Sequence, residues 1–288
     1  MGGNLFKDKC TSILLKDAHR VVDEVITKIR EKFPQKIIMP VGSAGFKEES
    51  SDLDIAVEAI SIDELKSVVT TVFGYTPYMM EALYIVSIPY KYMSNGQEKF
   101  VSIDFIQMID AQYTHFRYKS PNYLEGESKY KVGTKIMLVG DLLRLSPLRL
   151  KGLDLNEEAW MDYAPIGLYR YVHLKPFIIS SYYYKQFVTI DKNEVMRMIF
   201  KDPKEEWFNS VESIWDALHT QEVVDKEMVK QIEASFFVNC YRKSWEAQVQ
   251  PEDFRLDYWT VNKIRDLMEK ESTIREANQY LDKIINDA

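Results

Sequence analysis

The chain has 288 residues and a net charge of −7, and 46% of its residues are hydrophobic and 13% aromatic. This composition excludes an intrinsically disordered protein, because so many aromatic side chains bury too much surface to stay unfolded. Neither residues 1–125 nor residues 126–288 are net basic, so we expect no strong non-specific binding to nucleic acid.

The sequence also carries expectations about compartment. No apolar run approaches the roughly 18–20 residues that a membrane helix needs, and Met1–Phe6 lack the apolar core of a signal peptide. Cys10 and Cys240 are far apart and form neither a zinc pattern nor a disulfide framework. We therefore expect a cytoplasmic protein without membrane association.

The first elements alternate between helix and strand. Apolar residues recur at helical spacing from Leu14 to Ile29. Short strands are predicted over Lys36–Val41 and Leu53–Val57, with a loop rich in Gly, Ser, Lys and Glu over residues 42–51 between them.

Capping and turn signals define the next elements. Ser61-Ile62-Asp63-Glu64 is a capping box, in which Glu64 is expected to accept from the Ser61 amide, and it predicts a helix that ends at Gly74. Two β-rich runs, Leu83–Tyr90 and Lys99–Met108, flank the turn sequence Ser94-Asn95-Gly96 and predict a hairpin.

The hydrophobic pattern changes after about residue 125, near the turn-forming residues Ser120-Pro121-Asn122 and Gly126. We expect an α+β domain over residues 1–125 and a mostly α-helical domain over residues 126–288. Helical periodicity is found over residues 129–150, 154–187, 205–219, 222–247 and 258–285.

Two carboxylates mark the start of the second predicted strand. Because successive strand residues point to opposite faces, Asp52 and Asp54 share one face, about 6–7 Å apart, while Leu53 and Ile55 point into the core. Magnesium is typically held in proteins by one or two carboxylates together with substrate phosphates. Asp52 and Asp54 are therefore candidate metal ligands, against the alternative of a solvated strand start.

A third acid lies within an otherwise apolar run. Asp104 interrupts Val101–Ile106, where an unpaired buried carboxylate is costly. If its strand lies beside Leu53–Val57, three carboxylates cluster and can hold two metal ions for a phosphoryl-type displacement. The alternative is an acid on an edge strand that faces water.

Gly42-Ser43 directly follows the first predicted strand. Glycine allows a tight turn, and free amides there, with the Ser43 hydroxyl, are suited to binding a phosphate. An ordinary turn is the alternative.

Together these pieces resemble the DNA polymerase β-like nucleotidyltransferase superfamily, over roughly residues 36–108. Gly42-Ser43, Asp52-Leu53-Asp54 and Asp104 match its motif in order, spacing and strand context. The resemblance implies a polymerase β-like domain with a mixed sheet and flanking helices. It also implies transfer of a nucleoside monophosphate from a nucleoside triphosphate, with ATP favoured, two Mg²⁺ ions and release of pyrophosphate.

The resemblance also assigns roles. Asp52 and Asp54 would be ligands of both metals, Asp104 would be a metal ligand or the general base for the acceptor hydroxyl, and Gly42 and Ser43 would bind the triphosphate. Many members carry an Arg soon after Gly-Ser. Here Lys47 follows instead, and it would act as a point charge rather than as a fork.

Lysines and aromatic residues in the second half have weaker signals. Lys131 and Lys135 are candidate triphosphate contacts across an interdomain cleft, with a solvated helix face as the alternative. The aromatic-rich stretch Tyr163–Phe187 is suited to stacking a nucleobase, but core packing of a helix is the preferred interpretation.

The acceptor is open at this point: a small molecule, a protein hydroxyl or an RNA 3′ end. The acidic surface favours a small molecule or a protein over a processive polymerase substrate. The alternative function is a catalytically inactive nucleotide-sensing or interaction module on the same fold.

Overall fold

The computed structural model describes residues 5–6, 8–74, 76–153, 157–174 and 183–232. The helices of these ranges are α1 (Leu15–Lys32), α2 (Ile62–Phe73), α3 (Ala111–Tyr118), α4 (Val132–Leu145), α5 (Lys192–Arg197) and α6 (Val211–Thr220). The strands are β1 (Ile13–Leu14), β2 (Ile38–Val41), β3 (Glu49–Ser50), β4 (Asp52–Glu58), β5 (Tyr78–Met80), β6 (Ile85–Ser94), β7 (Gln97–Met108), β8 (Glu157–Ala164), β9 (Gly167–Leu174) and β10 (Tyr183–Thr189). Short 3₁₀ turns cover Glu81–Leu83, Pro147–Leu150 and Glu205–Phe208.

A five-stranded mixed sheet, in the order β2-β4-β7-β6-β5, forms the centre of the first half. Strands β4 and β7 are parallel, and the other neighbours are antiparallel. One face of this sheet packs against α1 and α2, whose apolar residues form a single core with Leu53, Ile55 and Phe105. The expected α1 helix, both strands and the alternation of Leu53 and Ile55 with the aspartates are confirmed.

Local signals explain the boundaries of α2 and the β6–β7 hairpin. The Ser61 hydroxyl accepts from the Glu64 amide, and Gly74 ends the helix at φ 77. The Glu64 carboxylate accepts from the amide of Ile60 at 2.7 Å, so the capping box closes one residue earlier than expected. Asn95 and Gly96 both have positive φ, which a two-residue hairpin turn of this type requires.

The other face of the five-stranded sheet carries the three aspartates and a small apolar cluster. Val41, Ala56, Ile106 and Met108 form this cluster, and Tyr118 from α3 packs against it. Helix α3 therefore lies at the carboxylate face of the sheet.

A second core begins within α3 and continues through the second half of the described chain. Tyr113 and Phe116 of α3 pack with Leu138 and Leu142 of α4 and with buried residues of α5 and α6. The division into domains at residues 125 and 126 stays a prediction.

The expectation of helix over residues 154–187 is wrong for residues 157–174 and 183–187, and the rest of this range lies outside the described residues. Strands β8, β9 and β10 form a three-stranded antiparallel sheet in the order β10-β9-β8. In β9 the buried Leu168 and Val172 lie on one face and the partly exposed Tyr169 and Tyr171 on the other, which is the period of two of a strand. The turn at Pro165-Ile166, followed by Gly167 at φ 135, joins β8 to β9.

The predicted helical packing of the aromatic stretch Tyr163–Phe187 is affected by the same difference. Some of its rings are core, as expected, since Tyr163 is 7% exposed. Others lie on the open face of the three-stranded sheet, where Phe187 is 54% exposed. Core packing of a helix therefore does not account for this stretch.

The remaining helix predictions divide between described and undescribed ranges. Helices α4 and α6 confirm the segments 129–150 and 205–219, and residues 226–232 are helical. The segment 258–285, the rest of 222–247 and Cys240 lie outside the described residues. In the part of the chain that the structure describes, no helix combines the length and the apolar character needed to span a membrane.

Candidate active site

Three aspartates share one face of the five-stranded sheet. Asp54 on β4 lies directly opposite Asp104 on β7 in parallel register, and Asp52 lies opposite Ser102. Neighbouring strands are about 4.8 Å apart and residues i and i+2 are about 6–7 Å apart. The predicted proximity of the three carboxylates therefore follows from the strand pairing that the structure has.

Asp54 is an enclosed ionisable group beside the Gly42 turn. As a residue it is partly buried, and protein atoms surround its carboxyl. Burial raises the pKa of this carboxyl well above its usual range, and the nearby charges of Asp52 and Asp104 raise it further. An uncompensated negative charge is thus costly at this position.

Asp104 is buried and held by serine hydroxyls. Its side chain is 2% exposed. One carboxylate oxygen accepts from the Ser87 hydroxyl at 2.7 Å and from the Ser102 hydroxyl at 3.4 Å. Burial raises the pKa of Asp104, as does Asp52, whereas the hydrogen bond from Ser87 opposes the rise. Ser87 therefore favours the ionised form that a metal ligand or a general base requires.

Gly42 turns the chain directly above Asp54. Its φ is +72°, and a Cβ placed on it would lie 2.1 Å from a carboxylate oxygen of Asp54. No side chain fits in this space, so the position requires glycine. The Gly42 amide donates to the carbonyl of Tyr118 at 3.3 Å. The expectation that this amide is free to bind phosphate is therefore wrong.

The amides that follow Gly42 remain available. No described residue accepts a hydrogen bond from the main-chain amides of Ser43, Ala44 or Gly45. These residues form the turn, which closes with the Phe46 amide donating to the Ser43 carbonyl at 3.1 Å. Consecutive amides in a tight turn form a concavity suited to an anion, so the phosphate-binding prediction moves from Gly42 to residues 43–45.

Of the three predicted lysines, Lys47 lies near the carboxylates, and Lys131 lies near Lys47. Partial burial lowers the pKa of Lys47, the nearby Lys131 lowers it further, and Asp52 and Asp54 oppose this. The Lys47 ammonium also lies 5.2 Å from the centre of the Tyr123 ring. Lys131 is exposed at the N-cap of α4 rather than inside the helix. Lys47 is therefore placed to act on the carboxylates, and Lys131 adds positive charge beside it.

The ammonium of Lys135 is bound at the C-terminal end of α3. It is 3% exposed, and its ammonium donates to the carbonyls of Phe116 at 3.3 Å and Lys119 at 2.7 Å. Burial lowers the pKa of Lys135 to about 7, with further contributions from Lys119 and Arg117. Lys135 thus caps the C-terminal end of α3, whose carbonyl at Tyr118 holds Gly42, and it is not placed as a direct phosphate contact.

Sequence reasoning missed two residues at this end of α3. Burial raises the pKa of Tyr118, and the nearby Asp54 raises it further while Arg117 lowers it. The buried Arg117 guanidinium lies 4.6 Å from the Tyr118 ring centre and 5.0 Å from that of Tyr163. It also donates to the Tyr163 carbonyl at 2.8 Å. The only sequence signal here is the group of turn-forming residues Ser120-Pro121-Asn122, which predicts a domain boundary.

The donor set is chemically suited to magnesium. Three carboxylates on one face are hard oxygen ligands. Burial first, and the charges of Asp52 and Asp104 after it, raise the pKa of Asp54, and a bound cation would favour its ionised form. Within the described ranges, however, no three His, Cys, Asp or Glu side chains are already arranged to hold a metal ion. Asp52 accepts from Ser51 at 3.2 Å and Asp104 from Ser87.

Comparisons with known proteins add no assignment. Neither models of protein families nor curated protein sequences match the chain.

Proposed function

We propose that the chain is a nucleotidyltransferase, which moves a nucleoside monophosphate from a nucleoside triphosphate to an acceptor hydroxyl. The observation that carries this proposal is the pairing of Asp54 with Asp104 across parallel strands, beneath a glycine turn that no side chain can occupy. Three carboxylates on one face, two of them directly opposite each other, are costly to a fold, because burial and like charge both disfavour their ionised forms. The polymerase β-like resemblance supports the same activity.

The phosphate side of the site would be built from residues 43–45 and the neighbouring cations. Their unused amides would bind phosphate oxygens, and Lys47 and Lys131 would offset the triphosphate charge. Asp52 and Asp54 would hold magnesium, which supplies Lewis-acid stabilisation of the phosphate charge when it is bound. Catalysis of this type is mainly positioning and electrostatic stabilisation.

Asp104 would receive the proton. In the transfer step the acceptor oxygen forms a bond to the α-phosphorus, the bond from that phosphorus to the bridging oxygen breaks, and pyrophosphate leaves. The hydroxyl proton would pass to the Asp104 carboxylate, which Ser87 keeps oriented at 2.7 Å. A second magnesium ligand is the other role open to the same side chain.

The acceptor is proposed to be a small molecule or a protein rather than a long nucleic acid. The chain has 44 acidic and 37 basic residues, and a strongly basic tract to follow a phosphate backbone is absent from the sequence. ATP is the favoured donor, on the resemblance alone.

The test is transfer of label from each α-labelled nucleoside triphosphate, with magnesium, into protein, RNA and small-molecule fractions of a cell extract. Pyrophosphate release is measured in parallel. We expect label in one fraction with the wild type and none with Asp54→Asn. Asp23→Asn, at an exposed position of α1, is the matched control and should transfer normally.

Two outcomes would contradict the proposal. Transfer that survives Asp54→Asn would place the chemistry elsewhere. Magnesium-dependent nucleotide binding with no pyrophosphate release in any fraction would support the nucleotide-sensing module.

A further inference from the structure

Three tyrosine rings surround one lysine ammonium, and none of these four residues belongs to the set of three aspartates. The Lys185 ammonium lies 3.9 Å from the ring centre of Tyr169, 5.2 Å from that of Tyr84 and 5.4 Å from that of Tyr171. It also donates a hydrogen bond of 2.5 Å to the Tyr84 hydroxyl. No other lysine in the described ranges lies over more than one ring. We call Tyr84, Tyr169 and Tyr171 the tyrosine cage.

Strand register places two of the rings. Lys185 on β10 lies directly opposite Tyr171 on β9, and Tyr169 lies two residues earlier on the same face. Trp160 of β8 lies opposite Tyr171 on the other side and stacks on it, with ring centres 5.4 Å apart and planes 5° apart. The Tyr171 ring is thereby held between a fixed partner and the cation.

The third ring comes from the other sheet. Tyr84 precedes β6 and has φ 57 and ψ 38, the left-handed conformation that residues with a side chain rarely adopt. Such a backbone costs on the order of 1 kcal/mol, and strained residues of this kind cluster at ligand clamps. Glycine or asparagine would fit the backbone at lower cost. The backbone conformation therefore does not explain a tyrosine at this position, whereas the contact of its side chain with Lys185 does.

The surroundings of the cage favour a cation. The faces of aromatic rings carry partial negative charge and attract ammonium groups within about 6 Å. Asp162 lies opposite Tyr169 in the register, and its charge acts on the Tyr169 phenol. Partial burial lowers the pKa of Lys185, but hydrogen bonds to Tyr84 and Tyr171 outweigh this and raise it, so the group in the cage is a cation at neutral pH.

Lys185 is a replaceable occupant. The residue is exposed on β10, and its side chain reaches the rings through a flexible four-carbon stem. Rotation of this stem would empty the cage without breaking the β9–β10 pairing. All three tyrosines are only partly buried, so a ligand can reach the rings from solvent.

We propose that the tyrosine cage binds the alkylammonium group of a ligand and that Lys185 fills it in the free protein. The ligand class is a quaternary or methylated ammonium, carried by a small molecule or by a modified lysine of another protein. This site is separate from the aspartates and does not depend on nucleotidyl transfer.

The test is equilibrium binding of choline, measured by calorimetry on the full chain. In Lys185→Ala the side chain is too short to reach the rings, and we expect choline to bind at least about tenfold more tightly than to the wild type, because an internal occupant reduces apparent affinity by the fraction of open sites. The neutral isostere 3,3-dimethylbutan-1-ol should bind neither protein, since it lacks the charge.

Variants in the Lys185→Ala background locate the binding. Adding Tyr171→Leu should abolish choline binding. Adding Tyr78→Leu, an exposed tyrosine on β5, should leave it unchanged. A peptide with one trimethyllysine distinguishes the sources: tighter binding than choline assigns a protein ligand, and weaker binding assigns a small molecule.

A measurement on the wild type avoids reliance on one variant. Ring currents should shift the Lys185 ε-methylene resonance, and millimolar choline should move it toward the position of a free lysine. The proposal is overturned if folded Lys185→Ala binds no choline, if the neutral isostere binds equally, or if the wild-type resonance does not respond.

Discussion

Asp54 and Asp104 lie directly opposite each other on the parallel strands β4 and β7, with the Ser87 hydroxyl bound to Asp104. The pair is destabilising without a cation, because burial and like charges raise the pKa of both groups. Such an arrangement is typical of a functional site, because the groups that a reaction needs often lower the stability of the folded protein.

Replacing Asp54 with asparagine should stabilise the protein in the absence of magnesium. The folded pKa of Asp54 is raised, so the stability that the protonated group contributes at acid pH is lost as the pH rises through that value. The Asp54→Asn variant has no ionisable group at this position and so does not lose this stability. Its free energy of unfolding should be about 1–2 kcal/mol higher than that of the wild type at neutral pH. Urea unfolding in a chelating buffer at acid and at neutral pH measures the difference.

The control for this prediction is Asp23→Asn, which removes a charge at an exposed position of α1. It should change the free energy of unfolding by less than about 0.5 kcal/mol at both pH values. A lower stability of Asp54→Asn at neutral pH would show that the Asp54 charge is compensated in the folded protein.

Alanine at position 42 should be more harmful than alanine at position 74. Both glycines have a positive φ, +72° and +77°, but a Cβ at Gly42 would overlap Asp54, whereas nothing lies within 4 Å of one at Gly74. Gly74→Ala should cost about 1 kcal/mol from the backbone alone. Gly42→Ala should cost about 2–4 kcal/mol, because overpacking is added.

Denaturant unfolding of the two glycine variants isolates the overlap, since their backbone penalties are similar. Equal losses of stability would mean that the Asp54 side chain moves aside freely. In that case the close approach of Gly42 to Asp54 would not constrain the site.

How far the sequence predicts this site depends on the range of the interactions. Asp52, Asp54 and the buried Leu53 and Ile55 follow from the period of two within one strand, and the β6–β7 hairpin follows from Asn95-Gly96. These are local features, set by residues within one element. The proximity of Asp104 required one further assumption, the pairing of β7 with β4.

Long-range packing accounts for what the sequence did not predict. Lys135 has the spacing of a helix-surface lysine, but its amine is buried against the end of α3. In β9, aromatic residues on the open face mimic a helical repeat, and only the burial of Leu168 and Val172 identifies the strand. The left-handed backbone conformation of Tyr84 is not predicted by any local sequence motif.

Lys47 should contribute to nucleotide affinity. Its ammonium lies near Asp52, Asp54 and Lys131, at the border of the phosphate turn. Lys47→Met should raise the Kd of magnesium-ATP about tenfold, which corresponds to about 1.4 kcal/mol. Lys66→Met, on the far side of the sheet in α2, should bind like the wild type. Unchanged affinity in Lys47→Met would remove this lysine from the proposed site.

Because of Lys135, the free energy of unfolding should rise with pH. Its pKa is about 7 when folded and 10.5 ordinarily, so between these values the unfolded chain binds the proton more tightly. Stability therefore increases from neutral to alkaline pH. The advantage of the wild type over Lys135→Met should grow across this range, as measured by urea unfolding.

The matched control is Lys151→Met, which removes an exposed lysine. The difference between wild type and this variant should stay constant with pH. A constant difference for Lys135→Met as well would mean that the Lys135 ammonium is adequately solvated in the folded protein.

The most direct test of the central claim is binding of Mn²⁺, a paramagnetic substitute for Mg²⁺, followed by electron paramagnetic resonance. It needs no acceptor, and a non-hydrolysable ATP analogue can supply the phosphates. Wild type and Asp23→Asn are expected to bind the ion with equal affinity, and Asp54→Asn at least about tenfold more weakly. Equal binding by Asp54→Asn would contradict a metal site at Asp52, Asp54 and Asp104.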